Sequence, residues 1–565
     1  MRWTIPLCLG VGVMALPAFA QAPTPDTFAL VGVRVEVGDG RVIDKTTILL
    51  RHGIIAAIGP DLKVPADAEI IKGDGLTVYP GFIDAQMTSG FTLPAAQPDQ
   101  DKAPDTGSEA PASMRLANRK GIRPEIRAVD YLTLTDTALT PIRQAGFTTA
   151  LIAPAGGSIS GMSALVNLSG APTREAVIRP AVTMGFGFGG GGGRAFNFDP
   201  AQQQPQQQQQ RAAGTGYPGN LLGYTALLRQ TLYDAQYYKT VDTAFAKGAS
   251  VRPPADLSLM ALQPVMAGAM PAVFEADSEN QIFRAMHIAD EFHLKLMVDG
   301  GGDAWKMAPA LAKKQIPVLL SLNYGEEPGV VRAPGAGGGF GGGRFGGGRP
   351  GAGGAGVGGG VGGGRRQRGQ GGVGGGGTGV PNGGGADGAD AGDPTDPQGT
   401  PAGAPGQAPG GGVPGGRQGG NAAAPTEDET PKAVTAEQHK KWEEKVANAG
   451  KLQSAGVPFV FTLRSARTPT EFMDNLRKAI KAGLNREAAL KALTINAAKL
   501  YAVDRQMGTV ETGKIADLVV MSGDFAEAGT RVRYVFIDKN KFDMANDRPT
   551  TRPTLPIPAP TEDDD

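Results

Sequence analysis

The chain has 565 residues, enough for two or three domains, and its 86 glycines make it about twice as glycine-rich as an ordinary protein. Half of those glycines fall between residues 335 and 420, so the rest of the sequence has globular composition and can bury a large core. Lys plus Arg equals Asp plus Glu, 55 against 55, which leaves no excess charge to attract nucleic acid or an anionic membrane.

Residues 1–20 have the form of a cleavable export signal. One arginine precedes the apolar run IPLCLGVGVMALP, and Ala18-Phe19-Ala20 supplies the small-x-small step before Gln21. The run is too short to span a bilayer, so no transmembrane anchor is expected after cleavage, and the product would be periplasmic or secreted. Cys8 is the only cysteine, so the exported chain would hold neither a disulfide nor a thiolate metal site.

From Phe28 to Ile71 apolar residues alternate with polar ones, as in Val31, Val33, Val35 and Val37, and Asp39-Gly40 and His52-Gly53 mark turns. These read as short antiparallel strands, too few for a domain of their own. ADLVVMSGD (Ala516 to Asp524) and VRYVFID (Val532 to Asp538) are matching strands at the other end. The economical solution is one small sheet domain assembled from residues 27–79 and 506–545, with the middle of the chain inserted into it.

That middle, residues 80–505, alternates apolar runs with helical patterns. The runs are Phe147 to Ala153, Pro271 to Ala276, Leu294 to Asp299, Pro317 to Asn323 and Pro458 to Leu463. Thr468-Pro469-Thr470-Glu471 is a capping box that opens a helix, Gly483 closes it, and Asn485 caps the next. Repeated βα units of this kind predict a parallel sheet or barrel. Glycine- and glutamine-rich residues 185–211 and glycine-rich residues 334–431 read as disordered inserts, and residues 546–565 as a disordered tail. Arginines scattered through the longer insert are like those of RNA-binding tails, but the export signal argues for a solvated loop, and no nucleic-acid partner is expected.

The stretch YPGFIDAQMTSG (Tyr79 to Gly90) is a buried strand running into a loop, where barrel enzymes keep their chemistry. Yet Gln86, Met87 and Thr88 suit neither acid–base work nor metal binding. With TINAAKLYAVDRQMGTVETGKIADLVVMSGD near the C-terminus, this strand end resembles the amidohydrolase superfamily, in particular its exported, imidazolonepropionase-like members. Thr494, Asn496, Ala498, Gly508, Glu511, Gly513, Lys514, Ala516 and Asp517 carry the most specific part of that resemblance. It implies an α/β fold, a TIM-like (β/α)8 barrel inserted into a small β-sandwich built from both chain ends. It also implies hydrolysis of non-peptide C–N bonds, of the cyclic amide type, with one or two divalent metals, usually zinc.

Laid on this sequence, the family's paired histidines after its first barrel strand fall at Gln86 and Thr88. Its fifth-strand histidine falls at Glu275, and its sixth-strand histidine near Asp299 or Gly300. The eighth-strand aspartate falls at Arg464. A divalent metal needs three or more His or carboxylate ligands to bind and acidify a water, and a guanidinium would repel it. The four histidines, His52, His287, His293 and His439, lie in a turn, in helices or at a helix end, away from ligand spacing. The expectation is therefore a protein without a metal cofactor, serving as a ligand-binding or scaffold protein. Two other readings stay open: a metal-independent enzyme using Glu275 with Asp84 or Asp299 as an acid–base pair, and a working hydrolase of cyclic amides or peptide-like C–N bonds. In either metal-free case a carboxylate left at the strand ends, Glu275 above all, needs a partner, and Arg464 is expected within salt-bridge distance of Glu275, Asp84 or Asp299. The partner would be a small molecule of unknown identity, and an oligomer is compatible with the sequence.

Overall fold

The structure is a computed structural model that describes residues 26–92, 121–189, 220–328, 432–466 and 468–544. The expected leader, the tail 546–565, residues 334–431 and residues 190–211 lie outside the described residues.

β1 (Thr27–Glu36) and β2 (Val42–Arg51) pair antiparallel, and β3 (Ile54–Gly59) returns along β2. The turn between β2 and β3 places His52 and Gly53 at φ 51° and 76°, which the glycine allows without strain. β4 (Glu69–Lys72) and β5 (Thr77–Pro80) run parallel to β1, not antiparallel as the alternation suggested. Alternation reports which face a side chain takes, and it carries no information about strand direction.

Gly81 then passes the chain into β6 (Phe82–Met87). A Cβ at Gly81 would stand 2.1 Å from Thr148 Oγ1, so only glycine fits this approach. β7 (Phe147–Ile152) lies parallel to β6. β8 (Ile159–Met162), β9 (Ala164–Asn167) and β10 (Val177–Arg179) follow, β9 pairing antiparallel with both β7 and β10. β11 (Met184–Phe186) pairs with β8 and then, in parallel, with β12 (Ala272–Ala276). β13 (Leu296–Gly300), β14 (Val318–Ser321) and β15 (Phe459–Thr462) continue the parallel ladder.

β11 corrects the expected start of the first insert at residue 185. The stretch Met184-Gly185-Phe186-Gly187-Phe188 has period two, with its three large side chains buried and Phe186 stacked on Phe274 at 5.0 Å. Gly185 is there for close approach, since a Cβ would lie 2.2 Å from Ser160 Oγ. Its glycine content is structural at this point and not a sign of linker.

Helices separate the parallel strands. Glu279–Phe292 follows β12, Ala308–Lys314 follows β13, and Pro469–Lys481 follows β15. Thr468 caps the last of these by accepting from Glu471 N at 3.1 Å, and Asn485 caps Arg486–Leu493 by accepting from Glu487 N and Ala488 N. β16 (Leu518–Met521), β17 (Val532–Ile537) and β18 (Asn540–Asp543) end the described chain. β16 pairs antiparallel with β5, so strands from both ends of the chain form one eight-stranded sheet, ordered β18-β17-β16-β5-β1-β2-β3 with β4 beside β1.

The parallel strands fall into two hydrogen-bonded sheets, β10-β9-β7-β6 and β15-β14-β13-β12-β11-β8. Between β15 and β6 the links are made by side chains: Thr462 Oγ1 donates to Gln86 O at 2.6 Å, and Asp84 Oδ1 accepts from Leu463 N at 2.9 Å. Ile83, Leu151, Val273, Met297, Leu319 and Val460, from six different strands, meet in a single buried cluster, floored by Tyr501 and Met507. The architecture is mixed α/β. Among the described residues no helix is long and apolar enough to cross a membrane.

Candidate functional site

The inward-facing cluster sets the orientation of the residues above it. Side chains on a strand alternate, so two positions beyond Val273, Met297 and Val460 stand Glu275, Asp299 and Thr462, facing the same side. Two further on is Arg464. Glu275 and Asp299 are direct neighbours in the β12–β13 register. Arg464 is pinned through its backbone: its N–H donates to Thr462 Oγ1 at 3.0 Å, and its carbonyl accepts from Ser321 Oγ at 2.9 Å. Ser465 follows with φ 68°, a left-handed step that turns the chain away.

So held, the Arg464 guanidinium reaches both acids. Nη2 pairs with Glu275 Oε1 and Nη1 with Asp299 Oδ2. The expected partner for the guanidinium is present, but the emphasis on Glu275 needs correcting. Glu275 is 41% exposed, while Asp299 is 0% exposed and Arg464 16%. Asp299 is the acid that depends on the pair. It also accepts from Gln86 Nε2 at 2.8 Å, where the β6–β7 pairing slips between Asp84 and Met87 and the bulge frees Gln86.

Asp84 is held differently. It is fully buried, with Oδ1 accepting from Gln86 N at 3.1 Å and Leu463 N at 2.9 Å. Burial pushes its carboxyl up to about 6, against the pull of those backbone donors. Asp84 Oδ2, Gln86 Oε1 and Asp299 Oδ1 are buried without a hydrogen-bond partner among the described residues.

The remaining positions do not join this group. Thr88 is exposed and lines, with Met87, Leu463 and Ser465, a cleft of about 260 Å³ that Arg464 also lines. Gly300 has φ 101°, and a Cβ there would lie 2.1 Å from Asp277 Oδ1, so a histidine could not stand at this position without displacing Asp277. His52 bonds Asp26 in the β2–β3 turn at 2.6 Å, His287 packs on Phe283, His293 ends its helix, and His439 lies near Glu327 and Glu443. No three His, Cys, Asp or Glu side chains gather as a metal-binding group among the described residues. The donor set does not fit the divalent metal that the family resemblance implies. The two acids nearest the expected position already hold a guanidinium, which carries a fixed positive charge.

The space left between Gln86, Glu275 and Arg464 is small. Gln86, Ser160, Gly185, Phe186, Glu275 and Arg464 enclose about 20 Å³. That is room for about one water, against roughly 300–1,000 Å³ in ligand pockets. It also bears on the acid–base pair. Glu275 and Asp299 are both tied to Arg464, and Asp84 does not line the cavity. Ser160 and Gly185 close this space, and sequence reasoning missed both; the alternating Met-Gly-Phe-Gly-Phe was the available signal.

Residues 427–550 match the sequence model of the amidohydrolase family. A stretch of 50 residues is 46% identical to adenine deaminase 1 of Desulfotalea psychrophila, but it covers 9% of this chain and 8% of that protein, so the chain matches less than a tenth of that curated relative. An amidohydrolase from Thermotoga maritima MSB8 superposes with a TM-score of 0.57 at 18% identity, covering 91% of this chain and 100% of that one. Molinate hydrolase superposes with a TM-score of 0.42 at 12% identity, covering 94% and 98%. At the level of the amidohydrolase superfamily the resemblance read from the sequence therefore holds: residues 427–550 match that family's model, on a chain that shares the fold of the Thermotoga maritima structure.

Proposed function

We propose that this is an exported amidohydrolase-fold protein in which the Arg464 guanidinium has replaced the catalytic metal, and that it works as a ligand-binding or scaffold protein. The observation that carries the reading is the guanidinium bridging Asp299 and Glu275, with about 20 Å³ left beside them; a ligand would use the cleft of about 260 Å³ that Arg464 also lines. A divalent metal at this position would polarise a carbonyl and acidify a water. A guanidinium stays protonated, so it neither serves as a base nor generates hydroxide. What it does supply is charge balance for Asp299, whose Oδ2 also accepts from Gln86.

The two sheets are, on this reading, parts of one (β/α)8-type barrel. The inner cluster drawn from six strands and the Thr462 and Asp84 links between β15 and β6 support closure. Residues 27–79 and 506–545 form the composite domain beside it, supported by the β5–β16 pairing. Export rests on the leader pattern of residues 1–20.

Elemental analysis of the purified full-length protein tests the central claim. Zinc, manganese and iron should each fall well below one equivalent per chain, and added metal should not raise hydrolysis of cyclic amides. About one or more equivalents that resist dialysis, with activity lost on chelation, would establish a working hydrolase instead.

A further inference from the structure

A second and larger concavity lies against the sheet that joins both chain ends. About 600 Å³ is enclosed between the helix Pro469–Lys481, the loop leading into β17, and the ends of β16 and β18. Its volume lies in the range of small-molecule sites, roughly 300–1,000 Å³.

Arginine dominates its polar lining, with Arg477 from the helix, Arg531 from the loop and Arg533 from β17. Among the described residues no aspartate or glutamate lines it. Arg477 is held in place, with Nη1 donating to Asp474 at 2.9 Å and Nε to Phe525 O at 3.2 Å. The Arg531 and Arg533 side chains are exposed and make no ion pair among the described residues. Arg531 and Arg533, without an ion pair among the described residues, raise the potential of the concavity, and a low-dielectric wall focuses it. The apolar part of the wall comes from methionine: Met473, Met521 and Met544. Unbranched, polarizable side chains of this kind adapt to ligands of varied shape.

We propose that this cleft binds a small organic anion with an apolar body, its carboxylate, sulfonate or phosphate on the arginines and its hydrocarbon against the methionines. The site shares no lining residue with the strand-end group, so the proposal stands or falls independently of the metal reading.

Titration of the full-length protein with 8-anilinonaphthalene-1-sulfonate, followed by fluorescence, is the test. Binding should saturate at one site per chain and weaken as salt rises. Arg531→Gln with Arg533→Gln should weaken it about tenfold, the loss expected from two partly exposed charge contacts. Both side chains are solvent-facing, so the near-ultraviolet circular dichroism and Tm should not change. Arg531→Lys with Arg533→Lys, which keeps the charge, should retain most of the affinity. Dodecanoate should displace the probe, and dodecyltrimethylammonium should not. Unchanged affinity in the Gln double variant, or equal competition by the two surfactants, would overturn the proposal.

Discussion

Removing Arg464 should leave Asp299 as an uncompensated buried charge at the strand ends. Asp299 is fully buried, and Gln86 Nε2 at 2.8 Å would be its one remaining hydrogen-bond donor. Breaking a buried ion pair by deleting one partner costs about 3–5 kcal/mol. The lower end applies here, because Arg464 is partly exposed and the small space beside it can admit water. We expect Arg464→Ala to destabilise the fold by about 3 kcal/mol. Glu275 is well exposed, so losing its half of the pair should cost under about 1 kcal/mol, and Glu275→Gln alone should be as mild. Asp299→Asn can still accept from Gln86 and carries no charge. Arg464→Ala with Asp299→Asn should therefore recover about 2 kcal/mol relative to Arg464→Ala, a coupling typical of residues in direct contact. Urea unfolding of the four proteins measures all of this. If Arg464→Ala costs under about 1 kcal/mol, or if Asp299→Asn fails to recover the loss while Glu275→Gln recovers it, then Asp299 is not the acid that needs the guanidinium.

Asp84 gives a pH-dependent test. Burial raises its carboxyl from the ordinary 3.8 to about 6, so the folded chain holds that proton more tightly than the unfolded one. The sign follows: the contribution favours folding below about pH 4 and is lost as pH rises to about 6. Asp84→Asn does not titrate, so its stability relative to wild type should rise by about 2–3 kcal/mol between pH 4 and pH 7, and a flat difference would refute the assignment. Asp517, buried beside Asp538 and raised to about 7, should behave likewise, with the rise continuing to about pH 7 in Asp517→Asn. Gly300→Ala should cost about 1–3 kcal/mol, from left-handed strain plus the clash with Asp277. Gly75→Ala, at φ 77° with nothing within 4 Å, should cost only the strain, about 1 kcal/mol, and thermal unfolding compares the two. Arg486→Met should destabilise by about 1–2 kcal/mol by leaving the buried Glu36, which accepts from Arg486 Nη2 at 2.9 Å, with only the half-exposed Arg34 at 3.4 Å, and Glu36→Gln in the same chain should recover part of it.

Local chemistry was enough to read much of this protein from its residues. Thr468 and Asn485 cap helices because a side-chain oxygen reaches a backbone N–H two or three residues away. β6, β12, β13, β14 and β15 announce themselves as short apolar runs, and the identity of Arg464 alone requires an acidic neighbour if it points inward. The family match over residues 427–550 covers β15 and Arg464 among these. Depth and distance were decided only on folding. Glu275 and Asp299 sit side by side in one register, yet one is well exposed and the other sealed, because burial depends on what other segments lay over each position. The direction of β4 and β5 beside β1 was hidden for a related reason, since alternation specifies a face and not a heading. β11 was lost among glycines because Gly185 is required by Ser160, a residue of another strand. Sequence pattern records the demands of neighbours along the chain, whereas close approach, burial and ion pairing across strands arise from contacts between segments that only tertiary packing brings together.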